Sequence, residues 1–259
     1  MMSDVAGLTS GLDLISVVAL IALGGVAGFI NVLSAGGSML TLPLLMFLGL
    51  PPAQANATNR VAIALQSATA TSTFLKAGAH NMGVAWRLAV PAVAGAMLGA
   101  WLATRISAEA FESVLIVVMV VCSIMMLLPT PRIDTRELTP ERITPVVLLA
   151  MFGIGIYGGF IQVGVGVLFI VVLYRLLKID LTQVNVFKVF IVLMYTLPAL
   201  AVFVFDGQVR WAYGLVLAVG NMSGAFLGAR VNMSPAGARW VKWLTVAVIF
   251  IIVLKLALT

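Results

Sequence analysis

The sequence predicts an all-α integral membrane protein of about ten transmembrane segments, built as two inverted five-segment repeats with short or broken second helices. Three observations carry this. First, 62% of the 259 residues are hydrophobic, 9% are charged, and the mean hydropathy is +1.16; a soluble domain of this length has too little interior to hide that surface. Second, the chain repeats itself. Gly28, Phe29, Ile30 and Asn31 match Gly159, Phe160, Ile161 and Gln162 at a spacing of 131, and Gly37, Gln54, Asn56, Gly95, Leu98 and Gly99 match Gly166, Gln183, Asn185, Gly224, Leu227 and Gly228 at a spacing of 129. Two similar halves in an apolar chain mark a membrane fold made of structural repeats, whose working site lies where the halves meet. Third, the basic loops alternate along the chain.

The hydrophobic segments run over 14–34, 38–50, 54–76, 84–104, 109–129, 144–163, 166–178, 181–205, 211–231 and 239–258. The first follows MMSDVAGLTSGLD, which has no Lys or Arg; it lacks the basic start of a cleavable signal and is kept as structure. The second follows the helix-breaking run SAGGS and is about 13 residues long, too short at about 1.5 Å per residue to cross a core of about 30 Å unaided. The third opens on the amides Gln54 and Asn56 and carries Arg60 one to two turns in. The fourth holds the pair Gly95/Gly99, and the fifth the single cysteine, Cys122, a packing residue with no partner for an internal disulfide. The hydrophilic stretch 131–143 is the expected linker between a first repeat, 1–130, and a second, 144–259. In the second repeat, Gly155/Gly159 close the sixth segment, VGVG opens the short seventh, and Gln183, Asn185 and Lys188 open the eighth. Gly220/Gly224/Gly228 line the ninth, and the tenth ends the chain. The glycines four apart are small-xxx-small patterns that let helix backbones approach.

Charge asymmetry tests the count. With ten crossings, one side collects Lys76 and Arg87, the linker arginines Arg132, Arg136 and Arg142, then Arg175, Lys178, Arg230, Arg239 and Lys242; the other receives Arg105, Arg210 and Lys255. The rich side is cytoplasmic by the positive-inside rule, which makes the linker cytoplasmic and places both termini outside. Treating each short segment as a re-entrant hairpin divides the basic loops far more evenly. An odd number of crossings per repeat inverts one half relative to the other.

Polar side chains inside a membrane are costly and need a reason. They cluster at Asn31, Ser34, Gly36, Gly37 and Ser38 and again at Gln54, Asn56, Thr58, Asn59 and Arg60; the second half answers with Gln162, Gly164 and Gly166, then Gln183, Asn185 and Lys188. The glycine turns expose backbone N–H groups at the start of a helix, a favourable place for an anion; a plain kink is the alternative. Arg60 and Lys188 stand at similar positions in the two halves with no carboxylate inside the segments to pair them. A mobile anion is the partner this suggests, against snorkelling to the head groups. Other chemistries are poorly served. His80 is the only histidine, which removes bis-histidine haem and two-histidine metal sites; no cofactor, metal site or enzymatic role is expected. The basic residues are scattered over loops, so nucleic acid is not a partner. Glu109, Glu112, Asp180 and Asp206 all lie near segment ends, so no carboxylate for proton coupling is visible.

On the run GVAGFINVLSAGGS from Gly24 to Ser38, the run LGLPPAQANATNR from Leu48 to Arg60, their echoes in the second half and the GAxLGA pattern at Gly95 and Gly224, the chain resembles the sulfite exporter TauE/SafE family of bacterial membrane permeases, from about Leu14 to Leu258. The resemblance implies a multi-pass protein of the bacterial inner membrane that moves a small sulfur-containing anion such as sulfite or an organosulfonate like sulfoacetate. Its GFIQVGVG cluster is weaker than the first-half counterpart, and the family is too broad to single out one anion. The substrate-binding residues expected are Asn31, Ser34, Gly36, Gly37, Asn56, Thr58, Asn59 and Arg60 from the first half, with Gln162, Gly164, Gly166, Asn185 and Lys188 from the second: glycine turns for backbone contact, amides for orientation, Arg60 and Lys188 for charge. An inside-negative membrane is worth about 2.3 kcal/mol per charge per 100 mV, so export of an anion needs no coupling ion. Alternating access between the repeats is the expected mechanism; an anion channel on the same scaffold and a membrane-embedded subunit of a larger complex are the competing readings. Whether the chain works alone or as a homodimer is left open by the sequence.

Overall fold

The computed structural model describes residues 12–34, 36–127 and 143–234. The linker apart from Ile143, and the tenth segment at 239–258, lie outside the described residues. The other nine segments each coincide with a helical element, and the described residues contain no strand. In chain order these are α1 (Leu14–Leu33), α2 (Ser38–Phe47), α3 (Pro52–Lys76), α4 (Met82–Ala103), α5 (Ala108–Leu127), α6 (Pro145–Phe160), α7 (Val165–Phe169, running on as a π-helical turn Ile170–Leu176), α8 (Leu181–Phe205) and α9 (Trp211–Asn232).

Local chemistry sets the helix ends. Asp13 caps α1 by accepting the Ser16 N–H at 2.9 Å, and Asp180 caps α8 by accepting the Gln183 N–H at 3.0 Å. Pro52 and Pro145 occupy first-turn positions, where the missing N–H costs nothing. Between α1 and α2, and between α6 and α7, the chain breaks. Gly36 in the first break has φ +115° and Gly164 in the second has φ +69°, a left-handed backbone open to glycine at little cost. Among the described residues four helices, α1, α4, α8 and α9, are long and apolar enough to cross a membrane, while α2, α6 and α7 with its π turn are apolar but short.

The two halves embrace crosswise. Helix α1 packs along α9 and α4 along α6, so the first helix of each half lies on the fourth of the other; α3 packs on α9, α8 on α4, and α3 and α8 touch each other. Glycines make the first two pairings close. A Cβ on Gly224 would fall 1.9 Å from the Gly25 carbonyl oxygen, and one on Gly159 2.1 Å from that of Ala96. The packing also corrects the register of the glycine repeat. At a spacing of 129, Gly95 matches Gly224, but in contact Gly95 meets Phe152 and Ile156 as Gly220 meets Ile21 and Gly25. The packing counterpart of Gly95 is thus Gly220, one helical turn away.

Helices α3 and α8 form the centre. Every residue of α3 from Ala55 to Ala64 is buried, polar ones included. The outer faces are apolar: Leu14, Ile15, Val90, Leu149 and Val219 are exposed, as a lipid-facing surface requires, and Trp86, Trp101 and Trp211 stand exposed near helix ends, where indole rings favour the membrane interface.

Candidate functional site

Arg60 and Lys188 are both fully enclosed, at 0% and 3% exposure, so neither snorkels. Each reaches across to the broken end of the other half's first helix. Arg60 donates to the carbonyls of Gly158 at 2.9 Å, Gly159 at 2.6 Å and Phe160 at 3.4 Å, and to Gln162 Oε1 at 3.3 Å; its guanidinium stacks on Phe203 at 4.7 Å. Lys188 donates to the carbonyls of Val32, at 3.2 Å, and Ser34, and to Asn185 Oδ1 at 2.9 Å. The neighbouring amides repeat the gesture. Asn56 Nδ2 donates to the Phe160 carbonyl at 3.0 Å and Asn185 Nδ2 to the Leu33 carbonyl at 3.1 Å. The last carbonyls of a helix lack intrahelical donors and carry partial negative charge. In the structure each cation is therefore engaged by a helix C-terminus in the opposite half.

Several expected ligands are likewise committed to the scaffold. Thr58 Oγ1 accepts the Arg210 N–H at 3.0 Å, and Asn59 Oδ1 accepts from the Thr41 hydroxyl at 2.8 Å. Gly37 serves close packing, since a Cβ there would sit 2.2 Å from the Ala27 carbonyl oxygen and 2.5 Å from Asn31 Cγ. Gly164 faces α5, with Cys122 Sγ only 2.4 Å from where its Cβ would lie. Gly36 shapes the first break.

What remains converges on one cavity of about 30 Å³ at the centre, between the two breaks. That is two to three times the space one water needs. Of the expected residues, Asn31, Ser34, Gln162, Gly166 and Lys188 line it; Gly36, Gly37, Asn56, Thr58, Asn59, Arg60, Gly164 and Asn185 do not. Ser38, the first residue of α2, also lines it, as do Gln66 and Ser67 of α3, which the sequence reading passed over. Lys188 is the one cation among the lining residues, and no carboxylate is among them.

The walls are cross-braced in a pattern that repeats between halves. Asn31 Nδ2 donates to Gln66 Oε1 at 3.2 Å, and its counterpart Gln162 donates through Nε2 to Thr196 Oγ1 at 2.9 Å. Gln66 Oε1 also accepts from Asn221 Nδ2 at 3.1 Å. Gln66 and Ser67 fall on Tyr195 and Thr196 at the spacing of 129 already seen for Asn56 and Asn185. That recurrence of polar residues within apolar helices was the signal available for finding them.

Chemically, the described residues of the chamber offer one positive charge, amides, hydroxyls and the N-terminal turn of α2, with no acidic group among them. It suits a small anion bound by charge and hydrogen bonds. Among the described residues no cluster of three or more His, Cys, Asp or Glu is placed to hold a metal.

The chain matches the family described as Sulfite exporter TauE/SafE over residues 20–256. Similar proteins include a probable membrane transporter of Sinorhizobium, 30% identical over 89% of this chain and 88% of its own length. One from Haemophilus influenzae is 27% identical over 95% of both chains, and one from Escherichia coli is 28% identical over 80% of this chain and 77% of its own. No solved structure matches the chain.

Proposed function

The chain belongs to the sulfite exporter TauE/SafE family of membrane transporters, and from that premise we propose that it is a secondary transporter exporting a small sulfur oxyanion, sulfite or an organosulfonate such as sulfoacetate, from the bacterial cytoplasm across the inner membrane. The observation that carries the proposal is the central cavity, walled by both halves, where among the described lining residues Lys188 is the one cation and no carboxylate competes for it. Lys188 supplies charge; Ser34, Ser38 and Ser67 supply hydroxyls; Asn31, Gln66 and Gln162 orient. Arg60, which the sequence placed with the ligands, holds the second-half break closed instead.

Alternating access fits the crosswise build. Each half caps the broken helix of the other through one cation and one amide, so rocking one half against the other moves both breaks and the cavity between them. The reciprocal pairings of α1 with α9 and α4 with α6 are what two inverted repeats related by an axis in the membrane plane would make. An anion leaving a cell held 100 mV inside-negative gains about 2.3 kcal/mol per charge, roughly a fiftyfold gradient.

Reconstitution of the full chain into proteoliposomes tests the function. The expected result is saturable efflux of labelled sulfite or sulfoacetate that is accelerated by unlabelled anion on the far side and abolished by Lys188→Met. Flux that never saturates and shows no counterflow would make the protein a channel. Absence of flux for every sulfur oxyanion would remove the transport assignment and favour a subunit role.

A further inference from the structure

Helix α3 carries five hydroxyl side chains near its C-terminal end: Ser67, Thr69, Thr71, Ser72 and Thr73. A hydroxyl in a helix ordinarily satisfies itself on a carbonyl three or four residues back. Thr69 does so on Leu65 at 2.9 Å, and Ser72 and Thr73 do so on Thr69 at 3.0 and 2.8 Å. Ser67 and Thr71 do not: their oxygens are buried and have no hydrogen-bond partner. The pattern is the reverse of expectation. The half-buried and exposed hydroxyls are satisfied within the helix, while the two enclosed ones, at 0% and 7% exposure, where an unmade bond costs most, are left open.

Position gives the orphans a meaning. Four residues apart, they share one face of α3. Ser67 borders the central cavity together with Lys188. Thr71 lies one turn, about 6 Å, further toward Lys76, the last residue of the helix. The second half has no equivalent track. Its matching positions are Thr196, whose hydroxyl accepts from Gln162 at 2.9 Å, and Leu200.

We propose that Ser67 and Thr71 are the two rungs of a wetted leg that connects the central cavity with the Lys76 end of α3, and that a small hydrated oxyanion enters the cavity along it. This rests on the transport reading, and by the loop charges that end is cytoplasmic. The orphaned hydroxyls are satisfied by water in the resting protein and by the anion's oxygens in passage. The corresponding leg of the second half is shut by the Gln162–Thr196 bond and the apolar Leu200 side chain.

The test is thiol accessibility in membrane vesicles of the full chain carrying Cys122→Ala, with Ser67→Cys, Thr71→Cys, Ser72→Cys and Ala77→Cys introduced singly. The probe is 2-sulfonatoethyl methanethiosulfonate, which is anionic and does not cross membranes. Ala77→Cys reports which face the helix end occupies, and exposed Ser72→Cys serves as the lipid-side control. The expected result is labelling of Thr71→Cys from the same face as Ala77→Cys, about tenfold faster than Ser72→Cys because only a wetted thiol ionises readily, with Ser67→Cys slowed by sulfoacetate. Labelling of Thr71→Cys no faster than Ser72→Cys, or only from the opposite face, would overturn the leg. Rapid labelling of Thr71→Cys with no effect of sulfoacetate on Ser67→Cys and no wild-type sulfoacetate flux would leave the wetted leg standing and remove the sulfonate as its cargo. The isosteric Thr71→Val should lower flux while leaving the thermal midpoint unchanged; unchanged flux would count against the rung.

Discussion

Replacing Arg60 by Met separates a structural cation from a substrate ligand. The side chain makes two short hydrogen bonds, to the carbonyls of Gly159 at 2.6 Å and Gly158 at 2.9 Å, and two long ones. Met fills similar space but donates nothing, so two carbonyls at the end of α6 lose their donor in a dry interior; Asn56 still serves Phe160. Each orphaned carbonyl costs about 1–3 kcal/mol by soluble-protein measurements, and hydrogen bonds inside membrane proteins average about 0.6. The expected loss is therefore about 1–6 kcal/mol, a sizeable part of a total of about 5–15. Cys122, the only cysteine in the chain and 6% exposed, reports unfolding directly: in mixed micelles titrated with dodecyl sulfate, its reaction with a maleimide marks the transition. Arg60→Lys should recover part of the loss, since an ammonium reaches the carbonyls without the guanidinium fork. A loss below about 0.5 kcal/mol together with abolished anion binding would refute the reasoning and return Arg60 to the substrate.

Gly159→Leu and Gly224→Leu should yield no monodisperse protein on size exclusion, because even a Cβ would lie 2.1 Å and 1.9 Å from a facing carbonyl oxygen; the Ala variants should fold with a lower thermal midpoint, overpacking costing about 1–3 kcal/mol. Gln66→Leu orphans the Asn31 and Asn221 amides that now donate to it, at 3.2 and 3.1 Å, and should destabilise by about 1–6 kcal/mol in the same maleimide assay. Lys188→Met should lose both stability and anion binding, since it uncaps α1 and empties the cavity of charge; retained binding would move the site elsewhere.

The helices were legible because apolar runs, glycine breaks and prolines punctuate the chain. The breaks at SAGGS and VGVG announced the split helices, and the 129 spacing brought Asn56 and Asn185 into register, where the structure gives them the same task. The partners Arg60 has in the structure were hidden for a physical reason. A buried cation without a carboxylate looks unpaired in sequence, yet three main-chain carbonyls about a hundred residues away neutralise it, and main-chain dipoles leave no mark on residue identity. Gln66 and Ser67 were hidden among alanines in a helix judged by its hydropathy. The one-turn slip between Gly95 and Gly220 was invisible because alignment matches residues, whereas helix packing only requires small residues every fourth position.

The most direct measurement is the thermal midpoint of purified protein with sulfite, sulfoacetate, taurine, sulfate, thiosulfate and acetate, for wild type, Arg60→Met and Lys188→Met. A ligand at a hundred times its dissociation constant adds about 2.7 kcal/mol to the native state. Sulfite or sulfonates should raise the midpoint of wild type and of Arg60→Met, from its lower start, and leave Lys188→Met unmoved. A shift that persists in Lys188→Met, or no shift with any sulfur oxyanion, would contradict an anion site centred on Lys188 in the cavity between the halves.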